Sequence, residues 1–251
     1  MMLPRLGGII VVTLALIAIP LRGQEPRLLE APKKKLYDFR KDHDPNGTGK
    51  FYMGREIAQV MSHLGANWLE RPEREKEEHT TKLLPPLKIK PGDVVADIGA
   101  GSGYYTMKLA ELVGPKGKVY AVDIQPEMLA IIKNRMKAAK ITQIETIQNT
   151  ETELKLPANS TDLFLLVDVY HEFAYPHEMA VEMVKSLRPG GRMVFVEFRM
   201  EDEKVPILSV HKMAQKQVLK EMEGLGVRHV QTLSHLPWQH VIIFQKAAEK
   251  R

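Results

Sequence analysis

From residue 91 onward, short apolar runs alternate with amphipathic stretches, the pattern of strands each followed by a helix. The runs predict strands at Val94–Ile98, Lys118–Asp123 and residues 143–148, 162–168 and 192–198. The run at 162–168 is almost wholly apolar, as suits a strand covered on both faces. Helices are predicted at residues 104–112, stopped by Gly114-Pro115, and at 125–140, with Pro126 in the first turn. Two more are predicted at residues 176–187, ended by Arg188-Pro189-Gly190-Gly191, and at 209–224. Two closing runs, Val227–Leu233 and residues 240–245, flank a turn at Pro237 and predict a β-hairpin. Such alternation makes an α/β fold: a mostly parallel sheet with an antiparallel ending. Upstream, Ile57, Val60, Met61 and Leu64 recur at helical spacing and predict a helical cap over residues 51–90. Arg71, Arg74 and the acids at residues 73–78 read as a solvated helix face; the alternative is a lid over the site, with Trp68 or Arg71 facing in. Residues 24–50, broken by Pro26, Pro32 and Pro45, read as a linker or surface arm.

The densest chemistry lies at residues 94–105, VVADIGAGSGYY. An apolar strand ends in Asp97, and Gly99, Gly101 and Gly103 follow at alternate positions around Ala100. Glycines after a strand let a ligand approach the backbone closely. Asp123 ends the next strand, 20 residues beyond Gly103, where a ribose-binding carboxylate belongs in a nucleotide-binding α/β fold. The dinucleotide fingerprint is G-x-G-x-x-G, but Tyr104 breaks that spacing, which disfavours an NAD(P)-dependent oxidoreductase.

The D-x-G-x-G-x-G pattern resembles motif I of the class I S-adenosylmethionine-dependent methyltransferases. Residues 156–173 (LPANSTDLFLLVDVYHEF) and 187–197 (LRPGGRMVFVE) look like that family's fourth and fifth strand regions. GREIA at residues 54–58 and DVYHEF at 168–173 are similar to a bacterial, ubiquinone-biosynthesis-like subset. The resemblance spans residues 52–244 and implies a Rossmann-like seven-stranded sheet with S-adenosylmethionine as cofactor. It implies glycine-turn amides on the methionine part, Asp97 near its amino group and Asp123 on the ribose hydroxyls. Capping roles are the alternatives for both carboxylates. Ile124 would pack on adenine, with Asn149 or Thr150 at its amino edge and Asp168 completing the cofactor set.

Methyl transfer needs an in-line acceptor and a group to take its proton. His171 or Glu172 would be that base, a structural histidine at a helix start being the alternative for His171, and Tyr170 would orient the acceptor, a small molecule of unidentified structure. Glu197 and His211 are expected on the same side. A non-catalytic envelope protein retaining this fold is the alternative.

Composition narrows these readings. The nine histidines show no H-x-x-x-H or H-E-x-x-H spacing, so no metal centre is expected. Asp42, Asp44, Asn46 and Gly47 mimic the start of a calcium loop, but Pro45 interrupts it and Met53 occupies the glutamate position. Cysteine is absent, which removes disulfides and thiolate chemistry and departs from arsenic-methylating relatives. Setting aside Arg5 and Arg22, 34 basic residues face 31 acidic ones, too small an excess to argue for nucleic acid. The uncharged apolar run at residues 6–21, preceded by Arg5, resembles a secretory signal peptide spanning residues 1–23 and implies export. Arg22, Arg27 and Lys33–Lys35 favour a second reading, an uncleaved membrane anchor with the catalytic domain in the cytoplasm. Residues 91–246 would form the methyltransferase domain and 247–251 a tail; oligomeric state is open.

Overall fold

The computed structural model describes residues 35–248. The signal-peptide and anchor readings, the first part of the expected arm and the end of the tail lie outside the described residues. Among the described residues, no helix is long and apolar enough to cross a membrane.

Seven strands form the central sheet: β4 (Val94–Ile98), β5 (Lys118–Asp123), β6 (Ile144–Gln148), β7 (Thr161–Val167), β8 (Leu187–Phe198), β9 (Val227–Leu233) and β10 (Gln239–Lys246). Their order is β6-β5-β4-β7-β8-β10-β9. Strands β4 to β8 pair in parallel, and β10 runs antiparallel between β8 and β9. This is the mostly parallel sheet with a terminal hairpin that the sequence predicts. Alternate residues of each strand feed opposite cores. Val95, Val119 and Leu163 pack with α4 (Tyr104–Val113) and α5 (Pro126–Ala139) on one face. Ala96, Val122 and Phe164 pack with α6 (Pro176–Ser186) and α7 (Gln215–Met222) on the other. The chain leaves β4 in one direction to build β5 and β6, then crosses back to build β7 and β8. The crevice between β4 and β7 is therefore the switch point where open α/β sheets bind ligands.

Three expectations are corrected. Residues 37–58 form neither an arm nor a helix but a three-stranded antiparallel sheet: β1 (Tyr37–Phe39), β2 (Gly47–Tyr52) and β3 (Arg55–Ala58). Ile57 is buried on β3, whereas Val60 and Leu64 are exposed, so their helical spacing is coincidental. The cap's helices come later and are short: α1 (Ala66–Leu69), α2 (Arg74–Glu78) and α3 (Thr80–Leu83). The expected turn at Arg188–Gly191 is the opening of β8, where Leu187 already pairs with Thr161 across a bulge. The helix expected over residues 209–224 divides into a 3-10 turn at Ser209–His211 and α7.

The small sheet is fastened to the large domain by charge. The Arg55 guanidinium donates to both carboxylate oxygens of Glu221 on α7, at 2.9 and 3.1 Å, and to the His171 carbonyl at 3.0 Å. Lys50 Nζ donates to the Ala174 carbonyl at 2.6 Å and lies over the Tyr175 ring.

Candidate active site

The carboxyl ends of β4, β5, β7 and β8 open into one cavity of about 580 Å³. One wall holds Gly99, Gly101, Asp123, Ile124, Asn149, Thr150 and Asp168. Its far wall comes from the cap (Val60, Met61, Trp68, Leu69), from Phe173 and Phe198, and from a loop at Pro206, Ile207 and Leu208. His171, Glu172 and His211 lie between the two walls.

Gly99 and Gly101 lie at φ +66° and +54°. A Cβ on Gly99 would sit 2.3 Å from Val169, and one on Gly101 would sit 2.8 Å from Leu69, so only glycine fits this crowded left-handed turn. The amides are not turned to a ligand as expected. Gly99 and Ala100 both donate to the Val122 carbonyl, Gly101 donates to Asp123 Oδ2 and Gly103 donates to the Ala100 carbonyl. The turn contributes close approach, and its donors stabilise the turn itself.

Asp123 accepts from the Gly101 amide at 2.8 Å and from the Gln125 amide at 2.9 Å while lining the cavity. It thus fills the capping role and borders the ligand space together. Asp97 does not line the cavity. It is buried beneath the turn, where Oδ2 accepts from the Thr106 hydroxyl at 2.6 Å. Burial lifts its carboxyl to about 6, opposed by that hydrogen bond.

Asp168, unlike Asp97, lines the cavity. It follows β7 at φ +50°, with Oδ2 accepting from Gln239 Nε2 at 3.1 Å. Its Oδ1 is buried without a partner. Burial, with the nearby charges of Glu78 and Glu197, drives its carboxyl well above the usual range, and Arg74 opposes the rise. An unpaired buried carboxylate is costly unless a cation completes it. Arg74, which sequence reasoning left on a solvated face, is buried and lines the cavity. Its Nε donates to Glu78 and its Nη1 to the Leu69 carbonyl. No local sequence signal marks it among the surrounding charges. Of Trp68 and Arg71, Trp68 faces in. Arg71 stacks on its ring and binds Glu77 and Glu78.

The 3-10 turn Tyr170–Glu172 splits the expected catalytic trio. Tyr170 is fully buried against Phe173 and Phe195 and does not line the cavity, so it orients no acceptor from there. The turn places neighbouring side chains on different sides, and its aromatic ring takes the core side. His171 Nδ1 lies 2.6 Å from Glu197 Oε2, whose other oxygen accepts the Tyr170 amide at 2.9 Å. Burial favours the neutral ring, but the Glu197 charge and hydrogen bond outweigh it and raise the His171 pKa. Glu172 is pushed to about 7, chiefly by burial. His211 is lowered by burial and by His171.

A family model described as "Methyltransferase domain" matches residues 89–246, more than half of the chain. A demethylmenaquinone methyltransferase of Bacillus mycoides (strain KBAB4) is 30% identical over 111 residues, covering 44% of this chain and 47% of the relative. A ubiquinone/menaquinone biosynthesis C-methyltransferase UbiE of Ectopseudomonas mendocina (strain ymp) is 30% identical over 111 residues, covering 44% and 43%. The chain thus spans under half the length of these curated relatives. An S-adenosylmethionine-dependent methyltransferase structure from Aquifex aeolicus superposes with TM-score 0.70 at 22% identity, covering 74% of this chain and 99% of that one.

Proposed function

The chain belongs to the methyltransferase domain family, and from that premise we propose that it methylates a small, largely apolar acceptor bearing one acidic proton. The observation that carries this reading is the juxtaposition, in one cavity, of the glycine turn with Asp123 and of the apolar cap wall with His171. S-adenosylmethionine, the cofactor of this family, supplies when bound an electrophilic methyl on a sulfonium. The residues present fit it. The turn excludes any Cβ, Asp123 borders the space with a two-oxygen acceptor, and the orphaned Asp168 Oδ1 suits an ammonium group.

In this reading Asp123 grips the ribose, Ile124 covers one face of the adenine, and Asn149 and Thr150 border its edge. Asp168 receives the amino group, a role the resemblance implied for Asp97. Val60, Met61, Trp68 and Leu208 exclude water and hold the acceptor's apolar body. His171, with Nδ1 committed to Glu197, presents Nε2 where the acceptor's proton must leave. The relatives' names refer to demethylmenaquinone and to ubiquinone and menaquinone biosynthesis, and ring acceptors of that kind suit such a wall.

The test is calorimetric titration of the full chain with S-adenosylmethionine, S-adenosylhomocysteine and NAD, then incubation with methyl-labelled cofactor and a panel of phenols and quinols. Binding of the first two ligands alone, with label entering a panel member, supports the proposal. Cofactor binding with label appearing only in hydrophilic acceptors would overturn the apolar-acceptor reading.

A further inference from the structure

We propose that His171, Glu172 and His211 hold a divalent transition-metal ion on the floor of the cavity. The donors come from two turns: Tyr170–Glu172 after β7, and Ser209–His211 after β8. His171 Nε2 lies 3.2 Å from His211 Nδ1, and Glu172 Oε1 lies 3.9 Å from each. Two atoms bound at about 2.1 Å to one zinc-sized ion are separated by roughly 3.0–3.4 Å, depending on the coordination angle. The imidazole pair already has that spacing, and Glu172 needs to close by only about half an ångström to meet the same criterion. That carboxylate oxygen also accepts from the Met61 amide at 3.3 Å, which fixes its direction.

The outer support is already built. Glu197 is fully buried and binds His171 Nδ1, so the neutral ring carries its proton there and turns the Nε2 lone pair toward His211 and Glu172. A carboxylate behind a ligand histidine is the usual arrangement that orients and strengthens it. Charge also balances, since Glu172 and Glu197 together offset one divalent ion. Two imidazoles and one carboxylate select zinc, cobalt, iron or manganese over magnesium or calcium. All three donors line the cavity, so the ion's remaining positions face the acceptor space. Local spacing gives no sign of this cluster, because the two histidines are 40 residues apart and are joined by the fold alone.

This inference rests on the methyltransferase reading of the cavity and deepens it. The ion, in place of a free imidazole, would meet an oxygen of the acceptor and make its proton easier to lose. That favours phenolic, enolic or chelating hydroxyl acceptors.

The test uses the full chain, stripped with a chelator and titrated with Co²⁺ and Zn²⁺, read by visible absorption and calorimetry. The expected result is one ion per chain, with Co²⁺ bands of a low-coordinate nitrogen-oxygen site. His211→Ala and Glu172→Gln should each weaken binding at least about tenfold. His229→Ala, on the exposed face of β9, should bind as the wild type does. Absence of binding, or equal binding in all four proteins, would overturn the metal site. S-adenosylhomocysteine titration of the same samples separates the two readings. Metal bound without the nucleoside would sink the methyltransferase reading alone, and nucleoside bound without metal would sink the metal site alone.

Discussion

Glu197 Oε2 lies 2.6 Å from His171 Nδ1, and the same carboxylate accepts the Tyr170 amide, so one buried side chain fixes both the ring and the turn that carries it. Glu197→Gln keeps an oxygen for the Tyr170 amide but removes the charge that selects the Nδ1–H tautomer. We expect imidazole ¹⁵N shifts of the neutral His171 ring to report Nδ1–H in the wild type and a mixture in the variant. Methyl transfer should fall about 10- to 100-fold, with S-adenosylhomocysteine affinity unchanged.

Asp123 is shared between the turn and the ligand space, and the two roles separate by substitution. Asp123→Ala strands the Gly101 and Gln125 amides and should cost about 1–3 kcal/mol of stability along with cofactor binding. Asp123→Asn keeps an acceptor for only one of the two amides, so it should lose less stability than Asp123→Ala yet bind S-adenosylhomocysteine at least about tenfold more weakly. Unchanged affinity in both variants would remove Asp123 from the ribose.

Asp168 predicts opposite signs for folding and binding. Its Oδ1 is buried and unpaired, and asparagine tolerates its positive φ. Asp168→Asn should therefore raise the melting temperature of the ligand-free protein and weaken S-adenosylmethionine at least about tenfold. Calorimetry and thermal denaturation of one preparation check both.

Asp97 gives the fold a pH dependence. Burial, aided by the Asp123 charge and opposed by the Thr106 hydrogen bond, raises its carboxyl from 3.8 to about 6. The raised pKa favours the protonated native state, so this stability is fully present below 3.8 and lost as pH rises through about 6. By about pH 7 the difference is roughly 3 kcal/mol, from about 1.4 kcal/mol per unit. Denaturant midpoints of the wild type and Asp97→Asn should nearly coincide at low pH and separate at neutral pH, with the variant the more stable.

Gly99→Ala combines a left-handed residue with a clash against Val169, and should cost about 3 kcal/mol. Adding Val169→Ala relieves the clash and leaves the backbone cost. A double-mutant cycle should therefore show partial recovery, and strict additivity would refute the packing account.

Local features of the sequence were enough to place the parallel strands, the glycine turn and the carboxylates at strand ends, because strand period, turn chemistry and helix caps are near-neighbour effects. Asp97 and Asp123 sit where a strand end must put them, although which carboxylate faces the ligand depends on side chains such as Thr106 and Gln239 from elsewhere. The β1–β3 sheet was hidden because Pro45 and its neighbours read as a loop and Ile57, Val60 and Met61 happen to fit a helical period, although Ile57 is buried and Val60 exposed. Tyr170 shows the same limit at shorter range. It adjoins His171 in sequence, but a single 3-10 turn assigns it to the core. The meeting of His171 with His211 follows only from the arrangement of the chain segments after β7 and β8.

Arg55 binds Glu221 across 166 positions, and Lys50 reaches Ala174 across 124. Contacts of such sequence separation are slow to form, because loop closure precedes their reward. The small sheet precedes the large one along the chain, yet the Arg55–Glu221 part of its clamp cannot close until α7 has followed. The half of the sheet that carries the glycine turn can thus assemble before Arg55 and Glu221 meet to brace the His171 turn.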